Sequence, residues 1–472
     1  MRSADLLATI QDLVALAPRA TGTPGGEAAA DYVAGRFRAA GLSDVGFLEV
    51  PSYSWRATRW RLGAGGQDLP CAPVLHSALT DHHTTGPLGG RVRAPVVDIG
   101  EGTVEKHDVR GRIVLFDLAF QMSLYSLLPI SEYIHDPGRR LLRHEVLRSR
   151  NPYITSLTTV MSAAAEAGAV GVVGVLRDYP ESLHYHNEYY RRSVLPLPGV
   201  WVTRSTGRTL RGLLRQDPVA ELELAVERER VASRTVLGVL PGRTRETVMV
   251  QSHHDSVGPG AVEDASGSAE VIALAEHYGR LAAQGATREK TLLFVTFDTH
   301  FTGYQAHQEF ARRYALDPGS PYDLVLNATV EHVGLRAVRG TDGAFASTGE
   351  TEPRGLFENL NPRLKWELVR AIRRHGLHGT CLLNASLLEY SRSGIPTDAS
   401  FMLLSGVPTV SLISGPLYLY DDADTPAFVD TDQLVPVARF FIDLIDRADR
   451  ARGDRIGLVP RSLRRRLPRG RW

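Results

Sequence analysis

From Arg234 to the C-terminal helix the chain alternates short apolar runs with helix-like runs, and this alternation restricts the fold more than any other feature. The runs TVLGVLPG, ETVMVQSHHD, KTLLFVTFD, DLVLNATVEHVG and VPTVSLI (407–413) read as strands. The stretches 266–283, 302–314, 362–375 and 435–445 between and after them carry helical periodicity. Strands that are apolar along their whole length must be buried on both faces, so the pattern predicts an α/β fold. Its central sheet would be mixed and largely parallel, with helices on both faces. Open sheets of this kind bind ligands beyond the carboxyl ends of their strands. The segments SHHDS and FDTHF fall at two such ends.

Residues 1–62 open with a helix, a GTPGG turn, a second helix (27–40) and a strand (45–50). Residues 86–231 read differently: GGRVRAPVVDIG and RGRIVLFD are β-rich and bounded by glycines, and VAELELAVERER alternates at period two. The expected division is an α/β body made of 1–85 and 232–450, an inserted β-rich domain of 86–231, and a solvated basic tail of 451–472. Within the insert, residues 118–154 are rich in Leu and Tyr and carry Arg139, Arg140 and Arg143. This segment reads as a lid, a dimer contact or a solvated amphipathic helix.

Composition excludes several classes. A net charge of +1 creates no field for nucleic acid or an anionic membrane. Of the 54 basic residues only Lys106, Lys290 and Lys365 are lysines. Cys71 and Cys381 are too far apart for a zinc or redox spacing, which excludes a disulfide scaffold and a thiolate metal cluster. No uncharged apolar window of about 18 residues occurs, so no membrane span is expected. The N-terminal stretch lacks a leader's apolar core and cleavage site, and the expected location is the cytoplasm. Neither nucleic acid nor a membrane is an expected partner, and oligomeric state stays open.

The stretch ETVMVQSHHDSVGPGAVEDASGSAEVIALAEHY holds the densest chemistry. His253 and Asp255 sit two apart at a strand end, where one can bind a metal while the other orients its ring through the second nitrogen. Glu263 and Asp264 follow on a glycine-rich loop and precede a small-residue helix start. A plainer account is also available: a hydrogen-bonded turn, with Asp264 or Ser266 as a helix cap.

The order of these motifs resembles the co-catalytic zinc aminopeptidase family, which includes bacterial leucyl aminopeptidases, glutamate carboxypeptidase, glutaminyl cyclase and the transferrin receptor. The likeness runs from LVALAPRATGTPGGEAAADYVAGRFRAAGL through VMVQSHHDS, GAVEDASGSAEVIALA, KTLLFVTFD, NATVEHVG and PTDASF to YDDADTP, and 86–231 resembles the protease-associated insert of many members. Carried over position by position, the resemblance makes His253 a metal ligand with Asp255 as its orienting carboxylate, and makes Glu263 and Glu331 the carboxylate ligands of the same ion. The second ion's positions read differently. The family's Glu-Glu pair is His300 and Phe301 here, and its last His aligns with Tyr420, with Asp421 one residue away. Asp398 and Asp424 match acidic positions that support the site.

The resemblance therefore implies one divalent ion at His253, Glu263 and Glu331, zinc by family precedent, with iron or manganese also suited to such a ligand set. His300 takes the place of the missing base and can handle protons or act as a fourth ligand. His254 and His332 alternate with the proposed ligands and are expected on the opposite face. His307 reads as structural or as a pocket wall, and His76, His82 and His83 as candidates for the cleft between domains. The implied function is a metal-dependent, peptidase-like enzyme acting on an amide of an amino acid, small peptide or peptide-like metabolite, by hydrolysis or by amide formation or cyclisation. The alternative is a catalytically silent binding or scaffold protein on the same fold.

Overall fold

A computed structural model describes residues 1–81, 83–187, 194–390, 394–460 and 463. Its centre is a parallel array. The strand Thr244–His253 lies between Lys290–Phe297 and Asp323–Val330 and runs parallel to both, and Thr409–Ser414 extends the array beyond Asp323–Val330. The sheet continues through Arg354–Glu358, antiparallel to Thr409–Ser414, and Thr380–Asn384. On the other side Val219–Leu240 pairs antiparallel with Lys290–Phe297.

Residue alternation along these strands explains why both faces are covered. Val248, Val250, Leu292 and Phe294 face one core with the helices Pro24–Ala39, Gly267–Ala283 and Thr431–Arg450. Met249, Leu293 and Val295 face the other, against Phe310 and Phe401. The α/β class with a parallel-centred mixed sheet is what the apolar runs predict.

Two strands are far longer than expected. Ser43–Ala64 and Val219–Leu240 each span 22 residues and pair antiparallel along almost all of them. At about 3.3 Å per residue each reaches roughly 70 Å. The first was expected to end near Val50; from Tyr53 to Arg61 its residues are only partly buried or exposed, so no clean apolar alternation marks it. The pair carries the chain out of the α/β body to Gly86–Gly100, Ile113–Asp117, Gly171–Leu176 and Gly199–Thr203. These strands share a core of Leu62, Leu115, Val173, Val200 and Leu222.

Residues 118–155 depart from this second region. Phe120–Ser123 pairs antiparallel with Arg150–Thr155, and the strand between them, Ser131–His135, pairs with Thr380–Asn384 at the far end of the main sheet. The helical pieces of this excursion are short: the single turns Leu124–Leu127 and His144–Leu147 and the 3-10 turn Leu128–Ile130. A long amphipathic helix does not form. Residues 461, 462 and 464–472 of the Arg-rich tail, and His82, lie outside the described residues. Among the described residues no helix is long and apolar enough to cross a membrane.

Candidate metal centre

The strand Thr244–His253 places His253 at its carboxyl end, opposite Phe297 of the next strand. The loop that follows is pinned from two sides. Arg19, fully buried, donates to the carbonyls of His254 (2.8 Å), Leu13 (3.2 Å), Pro259 (2.8 Å) and Gly260 (2.9 Å). The Asp424 carboxylate accepts from the amides of Val262 (2.9 Å) and Glu263 (2.8 Å). Gly260 is required where it stands: its φ is +56°, and a Cβ would come within 2.2 Å of the Glu263 carbonyl. The short turn Ala261–Ser266 then leaves the Glu263 and Asp264 side chains buried at the strand ends.

His253 Nδ1 faces Asp255, 3.1 Å from its carbonyl and 3.4 Å from its carboxylate, which in turn accepts the Phe301 amide at 3.2 Å. This turns His253 Nε2 toward Glu263 Oε1, 3.5 Å away. His332 Nε2 contacts the other Glu263 oxygen. Among the described residues His253, Glu263 and His332 form one group whose ligand atoms lie within 4.8 Å of one another; His253, His300 and Asp398 form another. Asp398 is already engaged, because its two oxygens bind His300 Nδ1 (2.9 Å) and His307 Nε2 (2.8 Å). Asp264 is engaged as well: it accepts from the Ser252 hydroxyl and from the amides of Gly267 (3.0 Å) and His332 (3.1 Å).

The structure thus brings together His253, Asp255, Glu263 and His300 of the residues singled out in the sequence. Glu331 is buried nearby, but one of its oxygens accepts the Asp398 amide (3.0 Å) and it belongs to neither group. His332 departs from the expected alternation. The last strand residue is Val330, and His332 adopts a left-handed φ of 58°, so period-two geometry has ended before it. No composition or spacing signal marks that break. His254 does point away, to Thr296 Oγ1 at 3.2 Å.

His300 stacks on His253 with ring centroids 4.0 Å apart, and its Nε2 lies 3.5 Å from Glu263 and from the Tyr304 hydroxyl. Phe301 and Tyr420, at positions where the resemblance puts ligands of a second ion, are buried rings 6.1 Å apart, with His186 within 5.7 Å of both. Asp421 accepts from the Tyr179 hydroxyl (3.3 Å) and the Ala423 amide (3.0 Å). His76 reaches the Phe301 carbonyl at 2.6 Å, whereas His83 is exposed.

Electrostatics follow from burial and close packing. Burial would push the Glu263 carboxyl up, but His332 and His253 overcome it and hold it well below the usual range. Burial opposes charging of His332 too; the adjoining carboxylates of Glu263 and Asp264 reverse the effect and raise it to about 10. Burial and His253 lower His300, and Asp398 with Glu263 outweigh them, raising it to about 9. Glu331 is raised well above the usual carboxyl value by burial and by Asp398.

The donor set fits a divalent cation. His253 Nε2, both Glu263 oxygens and His332 Nε2 are buried atoms without an aligned hydrogen bond, directed at one another from three separate elements. Imidazole nitrogen and carboxylate oxygen suit zinc, manganese or iron.

Residues 235–338 match the model of peptidase family M28. No curated protein matches the sequence. Among solved structures the chain is similar to the aminopeptidase of Aneurinibacillus sp. strain AM-1, at 18% identity and a TM-score of 0.63 over 100% of this chain and 97% of that one. It is also similar to a peptidase M28 precursor from Shewanella amazonensis (18%, TM-score 0.65, 96% and 95%) and to a zinc aminopeptidase from Bacillus subtilis (17%, 0.62, 97% and 98%). Those likenesses establish the fold, and the M28 match covers the segment that carries His253, Glu263 and Glu331.

Proposed function

We propose that the protein is a metal-dependent, peptidase-like enzyme with one ion per chain, held by His253 and Glu263, acting on an amide of an amino acid, small peptide or peptide-like metabolite. The observation that carries this reading is the convergence of His253, Glu263 and His332, buried and with ligand atoms within 4.8 Å of one another, at the carboxyl ends of parallel strands. A bound ion would supply Lewis acidity toward a carbonyl oxygen. His300 is suited to move a proton at Nε2: Asp398 fixes its ring through Nδ1, and Nε2 is left facing the interior of the site. Asp255 serves as the partner that orients His253. The same arrangement serves hydrolysis, amide formation or cyclisation.

One observation favours the second reading, a silent scaffold: Phe301 and Tyr420 fill the second site with packed rings. The two readings separate by metal analysis of the purified protein and by assay against aminoacyl anilides and a panel of small amides. The first predicts about one ion per chain and an activity abolished by chelator. Two ions, or none after supplementation, would end it.

A further inference from the structure

If an ion binds at His253 and Glu263, as proposed above, its third ligand can be assigned. Two side chains compete. Glu331 leaves one carboxylate oxygen without a hydrogen bond, yet the other is tied to the Asp398 amide at 3.0 Å, and Glu331 does not join His253 and Glu263 as a close group. His332 does join them, with Nε2 against Glu263.

The other side of the His332 ring is fixed from two directions. Its Nδ1 lies 2.8 Å from the Ser414 carbonyl and 2.8 Å from the Tyr153 hydroxyl. The Tyr153 hydroxyl itself donates to the same Ser414 carbonyl, so the proton between Tyr153 and His332 belongs to Nδ1. An imidazole protonated at Nδ1 can present a bare lone pair at Nε2, directed here at Glu263. A ligating histidine whose other nitrogen donates to a carbonyl is the usual arrangement around a protein-bound metal. Tyr153 also stacks on the ring, centroids 6.1 Å apart and 21° from parallel.

We propose that His332 is the third ligand of the ion and that Tyr153 is a positioning residue that holds it. Glu331 then serves from outside by fixing the backbone of Asp398. Tyr153 lies on the strand Arg150–Thr155, so the excursion 118–155 becomes a structural part of the metal centre.

Cobalt(II) and zinc(II) are the probes, titrated into chelator-treated full-length protein by calorimetry. Proton NMR of the cobalt form counts exchangeable, paramagnetically shifted imidazole N–H signals. Wild type should give one such signal from His253 and one from His332, and His332→Gln should remove one. Removing a ligand should weaken zinc binding by more than the roughly 10- to 100-fold that loss of an orienting partner costs, and Tyr153→Phe should fall inside that range. Glu331→Gln should bind zinc within about threefold of wild type, well short of that cost. Circular dichroism confirms that each variant is folded; should His332→Gln fail to fold, the signal count in wild type and the Glu331→Gln affinity decide. A single shifted signal in wild type, or an ion kept by His332→Gln and lost by Glu331→Gln, overturns the assignment. Unchanged affinity in Tyr153→Phe overturns its positioning role. Failure of wild type to bind either metal sinks the metal-dependent reading itself, an outcome distinct from an ion that binds without His332.

Discussion

A buried histidine can be a ligand, a proton carrier or a structural donor, and its role follows from what holds each ring nitrogen. His253, His300 and His332 each have Nδ1 occupied, by Asp255, Asp398 and the Ser414 carbonyl, and each turns Nε2 toward Glu263. His307 lacks this arrangement: its Nε2 is spent on Asp398. Replacing His300 with Ala should therefore lower turnover on a responsive substrate by about 100-fold or more while metal content stays near wild type. Metal loss in that variant would make His300 a ligand. A second residue-scale prediction concerns Glu352, buried beside Arg336 and Tyr418. Burial raises its carboxyl from 4.5 to about 8, with Arg336 only partly opposing. The folded state favours its neutral form, so its contribution to stability is complete below pH 4.5 and is lost as pH rises through about 8. Glu352→Gln should flatten the fall in melting temperature between pH 5 and pH 9. Parallel melting curves for variant and wild type over that range would refute this.

At the scale of elements, the site depends on close approach between backbones. The helix Gly267–Ala283, which follows the Glu263 turn, packs on Pro24–Ala39 through Gly279, where a Cβ would stand 1.9 Å from the Ala40 carbonyl. Neither backbone can yield without shifting its helix. Gly279→Ala should destabilise the fold by about 1–3 kcal/mol, as overpacking in cores does, read as a lower urea midpoint. An unchanged midpoint would mean that the helices part easily. Elements were also where sequence and structure diverged most. The helices at 266–283 and 362–375 were legible because apolar residues recur with helical period and Gly or Pro marks their ends. The outer half of Ser43–Ala64 was not, since neither face of that ribbon is fully buried. Likewise Ser131–His135 has only partly buried or exposed residues, and nothing local says that it crosses to Thr380–Asn384.

For the whole molecule, metal binding links the site to global stability. The proposed ligands come from the end of Thr244–His253, from the turn Ala261–Ser266 and from the residues after Asp323–Val330, so an unfolded chain cannot assemble them. Zinc should raise the melting temperature in a concentration-dependent way, by about 2.7 kcal/mol of stability at 100 times the dissociation constant. An apo and a zinc-loaded protein that melt together would remove the ion from the folded state. Sequence by itself determined the α/β class, the parallel centre of the sheet, and the position of His253 at a strand end and of Glu263 on the loop that follows it, because period and glycine placement are local properties of the chain. Tertiary structure alone decided that His332 rather than Glu331 turns toward Glu263, that Tyr153 reaches it from 179 residues away, and that Asp398 is taken up by two imidazoles. Those outcomes rest on where a strand's hydrogen bonding stops and on which distant groups compete for a buried donor, quantities that no local pattern encodes.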